Sequence, residues 1–132
     1  MPGLGAGSFR SRLVGMVVLG SLIAGTASGH LKILEVQPED GAVLTVAPAD
    51  LRMQLSQEPD PVVSKLELEG PDGAVELGEL VAEGKELRIS VKGRVVPGDY
   101  TVSWRTAGDD GHVQKGRWSF RLEAAGFRAA NP

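Results

Sequence analysis

The chain has 132 residues, with 14 basic and 17 acidic side chains, two histidines and no cysteine. This length allows one domain rather than two, and the absence of cysteine excludes disulfides and thiolate metal ligands. The excess of acidic residues argues against nucleic acid or anionic lipid as partners, because both require a positive surface.

The first 29 residues have the three parts of a signal peptide: a start with two arginines, an uncharged apolar core over 13–25, and small residues up to Gly29. The apolar core is shorter than the roughly 20 residues that cross a bilayer as a helix. We therefore predict a helical signal peptide over residues 1–29, cleaved so that His30 becomes the first residue. Cleavage would leave 103 residues with a net charge of −5, because the leader holds two of the basic residues and none of the acidic ones.

Two other fates of the leader stay open. The leader could remain uncleaved as a membrane anchor. Cleavage after Ala27 would instead leave Ser-Gly-His at the start, and such a terminus can bind Cu(II) with its own backbone nitrogens. The intact mass of the exported protein distinguishes these products.

Seven segments after residue 30 alternate apolar and polar residues, which is typical of half-buried strands. Glycine, proline and aspartate separate them, and no helical periodicity is present. The segments are 31–38, 51–55, 64–70, 74–77, 86–92, 100–105 and 116–122. They predict an all-β fold over residues 30–122, a Greek-key β-sandwich or barrel of about seven strands that is immunoglobulin-like or cupredoxin-like. Residues 123–132 are predicted to form a polar C-terminal tail.

Several details of this fold follow from the same pattern. The two segments on either side of Asp72-Gly73 should form a hairpin. The first strand alternates less cleanly than the others, which indicates a bulge or burial on both faces. Trp104, Trp118 and Met53 fall on apolar faces and should belong to the core.

The second histidine, His112, follows an Asp-Gly turn. Asp40-Gly41 and Asp72-Gly73 are the same dipeptide without a histidine after it. Asp-Gly is therefore ordinary turn chemistry, and the histidine is the unusual part. Asp110 and His112, two positions apart across a glycine, can direct a carboxylate and an imidazole toward one point.

If His30 is the first residue, its α-amine and its ring Nδ1 can chelate one metal ion. His112 would add a third nitrogen and Asp110 an oxygen. A planar set of three nitrogens and one oxygen suits tetragonal Cu(II) best among the common ions, whereas zinc would require a tetrahedral arrangement of the same atoms. Because amines and imidazoles bind metal only when unprotonated, affinity should fall with pH.

The sequence resembles the CopC family of copper-binding proteins over nearly all of residues 30–122. The resemblance is carried by the opening histidine together with four motifs. They are P-x-D-G-A-x-L (38–44), A-P-x-x-L (47–51), P-G-x-Y-T-V-x-W-R (97–105) and D-G-H (110–112).

This resemblance implies an exported β-sandwich that holds Cu(II) through His30, Asp110 and His112 and acts in copper homeostasis or resistance. It also implies the periplasm, or the secreted or cell-wall space of a Gram-positive cell. A membrane copper transporter of the CopD type is the implied partner. Some members carry a segment rich in methionine and histidine that takes Cu(I), which this chain lacks. Asp109 does not match the motif and is interpreted as a turn residue or a neighbour of the ligands. A monomer is expected.

Two alternatives come from other functional classes. One is a copper oxidase with a histidine brace, similar to lytic polysaccharide monooxygenases, which also begin at histidine. The other is an immunoglobulin-like adhesion module whose histidines bind no metal. The sequence contains no other set of catalytic residues that we recognise, so we predict a carrier rather than an enzyme.

Overall fold

The computed structural model describes residues 29–124, so the predicted signal peptide and polar tail lie almost entirely outside the described residues. Within this range the chain forms nine strands. They are β1 (Ile33–Gln37), β2 (Ala42–Leu44), β3 (Asp50–Leu55), β4 (Lys65–Gly70), β5 (Gly73–Val75), β6 (Val81–Glu83), β7 (Glu86–Ser90), β8 (Gly98–Ala107) and β9 (Val113–Leu122). No helix in this part of the chain is long and apolar enough to cross a membrane.

The strands form two sheets, which confirms the predicted β-sandwich. One sheet has the order β1-β3-β7-β6 and the other β2-β9-β8-β4-β5. All pairs are antiparallel except β2 with β9.

The core lies between the sheets, where the apolar residues of the alternating segments meet. The residues of β3 that face inward, Leu51, Met53 and Leu55, have no exposed surface. Trp118 is buried and Trp104 is partly buried against the same cluster, as predicted. Burial of one such side chain contributes about 1.5–3 kcal/mol.

The structure adds two strands to the predicted seven, β2 and β6. Each has three residues, which is too short for a two-residue period to be recognised by itself. β5 is equally short but was predicted from the Asp72-Gly73 turn that joins it to β4. For the first strand the sequence left open a bulge or burial on both faces, and the register of β1 on β3 shifts between Ile33 and Glu35, as a bulge or similar irregularity would cause. The predicted hairpin is confirmed as β4 and β5.

The longest pairing joins β8 and β9, and it continues in register to Ala107 opposite Val113. The loop of residues 108–112 therefore lies at one end of the sandwich. The chain enters β1 at this same end, because Leu31 is 2 % exposed within the core and its carbonyl accepts a hydrogen bond from Gln114 Nε2 at 2.9 Å.

Candidate metal centre

The 108–112 loop is a tight turn held by its own backbone and by Asp110. Gly111 has φ +74° and donates its N–H to the carbonyl of Gly108 at 3.0 Å. Asp110 Oδ1 accepts the N–H of His112 at 2.9 Å, which is an Asx turn. The left-handed conformation at Gly111 favours glycine. With glycine between them, Oδ2 of Asp110 and the ring of His112 can both point away from the turn.

A second group of contacts holds the segment before β1 against this loop. Lys32 donates its N–H to Ser56 Oγ at 2.8 Å, and Ser56 donates its N–H to the carbonyl of Lys32 at 2.9 Å. With Leu31 buried and its carbonyl bound to Gln114, the backbone on both sides of Leu31 is held in place. Leu31, the residue that follows, therefore sets the direction in which the backbone of His30 leaves the sandwich.

These two segments bring the three predicted ligands together. His30 Nδ1 lies 3.2 Å from Asp110 Oδ2, and His112 Nδ1 lies 3.9 Å from the same oxygen. The two rings stand edge to face with centroids 5.3 Å apart. One donor atom from each residue can be chosen so that all three lie within 4.8 Å of one another.

These separations are close to those that one metal ion requires. Nitrogen and oxygen ligands at about 2.0–2.2 Å from an ion cannot be more than about 4.4 Å apart. The two measured nitrogen–oxygen distances satisfy this limit, and the three donor atoms together lie within 4.8 Å of one another. Both histidine side chains are 68 % exposed and that of Asp110 is 34 % exposed, which leaves the cluster open to exchange with solvent.

The electrostatics of the cluster favour an ionised carboxylate. The hydrogen bond from the backbone N–H of His112 holds the pKa of Asp110 below its usual value. Desolvation has the next largest effect and raises the pKa, whereas the hydrogen bond to the ring of His30 and the charges of both histidines lower it by smaller amounts. Asp110 can therefore supply a negatively charged oxygen at any pH at which the imidazoles are unprotonated.

Sequence reasoning missed Gln57, which contacts the 108–112 loop and, before cleavage, the residue that precedes His30. Its Oε1 accepts the N–H of Asp109 at 2.9 Å, and its Nε2 donates to the carbonyl of Gly29 at 2.9 Å. A Cβ on Gly108 would lie 2.3 Å from Gln57 Oε1, so glycine permits this close approach. No periodicity or motif marks a glutamine just after a strand, so the sequence carries no signal for this role.

Asp109 takes part in this arrangement through its backbone, since its N–H binds Gln57. The cluster of possible metal ligands found among residues 29–124 consists of His30, Asp110 and His112 and does not include Asp109. Asp40 belongs to an Asp-Gly turn that no histidine follows, and its Oδ1 accepts the N–H of Ser119 at 3.1 Å. In that turn the same dipeptide therefore makes a structural contact only.

Comparison with known proteins gives one family and several relatives. The family model described as the CopC domain matches residues 33–123, which is more than half of the chain. Protein YobA of Escherichia coli strain K12 is 26% identical over 108 residues, which cover 78% of this chain and 86% of YobA. YobA of Shigella flexneri matches to the same extent.

Two solved structures share the fold. PcoC from Escherichia coli, described as a methionine-rich copper resistance protein, has a TM-score of 0.63 at 20% identity and covers 72% of this chain and 100% of its own. CopC from Methylosinus trichosporium OB3b has a TM-score of 0.63 at 18% identity and covers 78% of this chain and 99% of its own. At these identities the likeness concerns the fold alone.

Proposed function

Because the chain belongs to the CopC family, whose members are copper-binding proteins that are not enzymes, we propose that it binds Cu(II) outside the cytoplasm and buffers or delivers it. In this proposal residues 1–29 are a signal peptide, residues 30–122 form the copper-binding domain, and residues 123–132 are a polar tail. The working location is the periplasm, or the cell-wall space of a Gram-positive cell.

The proposed ligands are the amine and ring Nδ1 of His30, a carboxylate oxygen of Asp110 and the ring of His112. The observation that carries this proposal is the approach of both Nδ1 atoms to the same oxygen, Asp110 Oδ2, at 3.2 and 3.9 Å. The chain has two histidines in all, and both are in this cluster.

The donor set supports Cu(II) over the alternatives. Three nitrogens and one oxygen match the tetragonal preference of Cu(II). Cu(I) prefers thioether and thiolate ligands, but the chain has no cysteine, and Met53 is the one methionine after residue 29. Met53 is fully buried in the core, so its sulfur cannot reach a surface ion. In this respect the chain differs from the methionine-rich PcoC.

The exposure of the two histidine side chains supports a role in passing copper to or from another molecule. Side chains that are two-thirds exposed leave an ion accessible to an incoming ligand from another protein. A membrane copper transporter of the CopD type is the proposed acceptor or donor, and a monomer is the proposed state, since one chain supplies every ligand.

A Cu(II) titration of the protein purified after export tests the proposal. We expect one equivalent to bind, with an electron paramagnetic resonance spectrum of a tetragonal site with nitrogen ligands. Zinc should compete weakly, because it prefers a tetrahedral arrangement. Binding of no copper, or of several equivalents with indistinct spectra, would contradict the proposed site and favour an adhesion module.

A further inference from the structure

A row of positive charges crosses the outer face of the five-stranded sheet. Lys65 on β4 is opposite Arg105 on β8, and Arg105 is opposite Lys115 on β9. All three are exposed. Residues directly opposite on neighbouring strands have Cβ atoms about 4.5–5.5 Å apart, and like charges in such pairs are destabilising. The row is therefore expected to lower the stability of the fold rather than raise it.

Most of this charge is not neutralised within the protein. Lys65 Nζ pairs with Glu67 at 3.0 Å. Among residues 29–124, the ion pairs closer than 4.0 Å include none with Arg105, Lys115 or the neighbouring Arg117. Arg105 instead donates Nε to the carbonyl of Val63 at 3.4 Å. Lys65, Arg105 and Lys115 line a shallow depression of about 250 Å³ together with Glu67.

The row lies close to the candidate metal centre. Val113, Lys115 and Arg117 alternate along β9 and so share its outer face, and Val113 is 48 % exposed. His112 directly precedes Val113. With a rise of about 3.4 Å per residue, Lys115 is about 10 Å along the chain from His112. A molecule seated on Lys115 would therefore lie three residues along the chain from the candidate metal centre.

We propose that this face, defined by Lys65, Arg105, Lys115 and Arg117, docks a carboxylate-rich segment of a protein partner. Docking itself is independent of copper, whereas transfer of copper across the interface rests on the proposed function. The geometry favours an acidic protein over an anionic membrane. Glu67 and Glu69 lie beside the row on the outer face of β4, and the residues after the leader carry a net charge of −5. A broad anionic surface would meet both acidic groups, whereas a short segment lying along Arg105, Lys115 and Arg117 would avoid Glu69 and would meet Glu67 only at the edge of the face, where it is paired with Lys65.

The test uses the metal-free, ¹⁵N-labelled protein purified after export and an octaglutamate peptide as the probe. We expect saturable shift changes in the amide resonances of β4, β8 and β9 near the row, which weaken as salt is added. The double variant R105Q/K115Q should weaken peptide binding by about 2- to 30-fold, at 0.2–1 kcal/mol for each exposed charge pair. R52Q/R88Q removes the same charge from the other sheet and should leave peptide binding unchanged. The amide spectrum of each variant also shows whether it is folded, and K115Q alone provides a milder variant.

Three outcomes would overturn the proposal: no saturable shifts, shifts spread over all surface cations, or equal weakening in the control variant. Tighter binding to vesicles of phosphatidylglycerol and phosphatidylcholine than to the peptide, lost in R105Q/K115Q, would assign the face to a membrane and also overturn it. Because the probe is used without copper, these results do not depend on the metal site. A Cu(II) titration of R105Q/K115Q should match that of the unmodified protein.

Discussion

Nδ1 of His30 lies 3.2 Å from Oδ2 of Asp110, although 80 positions separate the two residues in the chain. The contact is not local in the sequence, and each residue is positioned by its own surroundings. Buried Leu31 and the hydrogen bonds of Ser56 fix the first, and the Asx turn at the end of the β8–β9 hairpin fixes the second. Because the sandwich itself brings them together, substitutions in the cluster should change metal binding and leave the core intact.

Replacing His112 by alanine should weaken Cu(II) binding by orders of magnitude, because it removes one of the proposed ligands. The side chain is 68 % exposed, and surface substitutions usually change stability by no more than about 0.5 kcal/mol. The melting temperature of the metal-free protein should therefore change little. A competition titration against a chelator of known affinity provides the measurement. Unchanged affinity in H112A would contradict the site.

Asp110→Asn and Asp109→Asn form a matched pair of variants on adjacent residues. Asparagine can still accept the N–H of His112 and keep the Asx turn, so D110N removes the charge and little else. We expect D110N to lower Cu(II) affinity by about tenfold or more and D109N to leave it nearly unchanged, because only the backbone of Asp109 takes part. Equal losses in both variants would indicate a general effect of surface charge.

Copper affinity should fall as pH falls, and the nitrogen ligands should cause the loss. In model peptides imidazole and the α-amine have pKa values of about 6.5 and 7.7–8.0, and protons compete with copper below these values. The pKa of Asp110 is lowered by its hydrogen bonds, so this carboxylate stays ionised throughout that range and adds no pH dependence there. The fall between pH 8 and pH 5, followed by chelator competition, should persist in D110N, in which residue 110 no longer titrates. Loss of the pH dependence in D110N would show that the carboxylate, and not the nitrogen ligands, causes it.

Replacing Gln57 by alanine should loosen the loop without removing a proposed ligand. The change removes the acceptor of the Asp109 N–H, a contact worth about 0.5–1.5 kcal/mol. We expect a lower melting temperature and a copper affinity between those of the unmodified protein and H112A, with a broader electron paramagnetic resonance spectrum. G108A should act in the same direction, because its Cβ would displace Gln57. A spectrum and affinity identical to those of the unmodified protein would show that Gln57 does not position the loop.

The copper-loaded protein should not oxidise glycans. If Asp110 binds copper as proposed, its carboxylate would leave less room for oxygen, and the family consists of proteins that are not enzymes. Incubation with a reductant, oxygen and cellulose or chitin, followed by mass spectrometry of soluble sugars, tests this expectation. A lytic polysaccharide monooxygenase provides the positive control, and detectable oxidised sugars would favour the oxidase alternative.

The sequence predicted the fold well where strands are long and one face is buried. Leu51, Met53 and Leu55 alternate with polar residues and are fully buried, and the match of the CopC domain model confirms the resemblance drawn from short motifs. It missed β2 and β6, because three residues contain too little of a period to be recognised without an Asp-Gly hairpin turn of the kind that marked β5. Their place in a sheet depends on neighbours distant in the chain, such as the parallel pairing of β2 with β9.

The candidate site was predictable to a different degree. Because the chain has only two histidines, both were candidates for ligands, and the Asp-Gly-His order added Asp110. Three candidate ligands could therefore be named from the sequence alone. Gln57 and Gln114 could not be, since a glutamine that bonds to a distant backbone group leaves no local pattern. The ligand roles of His30, Asp110 and His112 stay predictions until metal is bound.

The most direct measurement compares the Cu(II) dissociation constants of two proteins, one beginning at His30 and the other at Gly29. They differ by one residue, but only the first has a free amine beside the ring of His30. In the second the same nitrogen belongs to a peptide bond, and the Gly29 carbonyl can still bind Gln57 as observed. We expect the protein beginning at His30 to bind Cu(II) tighter by orders of magnitude, with three nitrogen ligands in its spectrum. Equal affinities and equal spectra would show that the amine is not a ligand and would contradict the account.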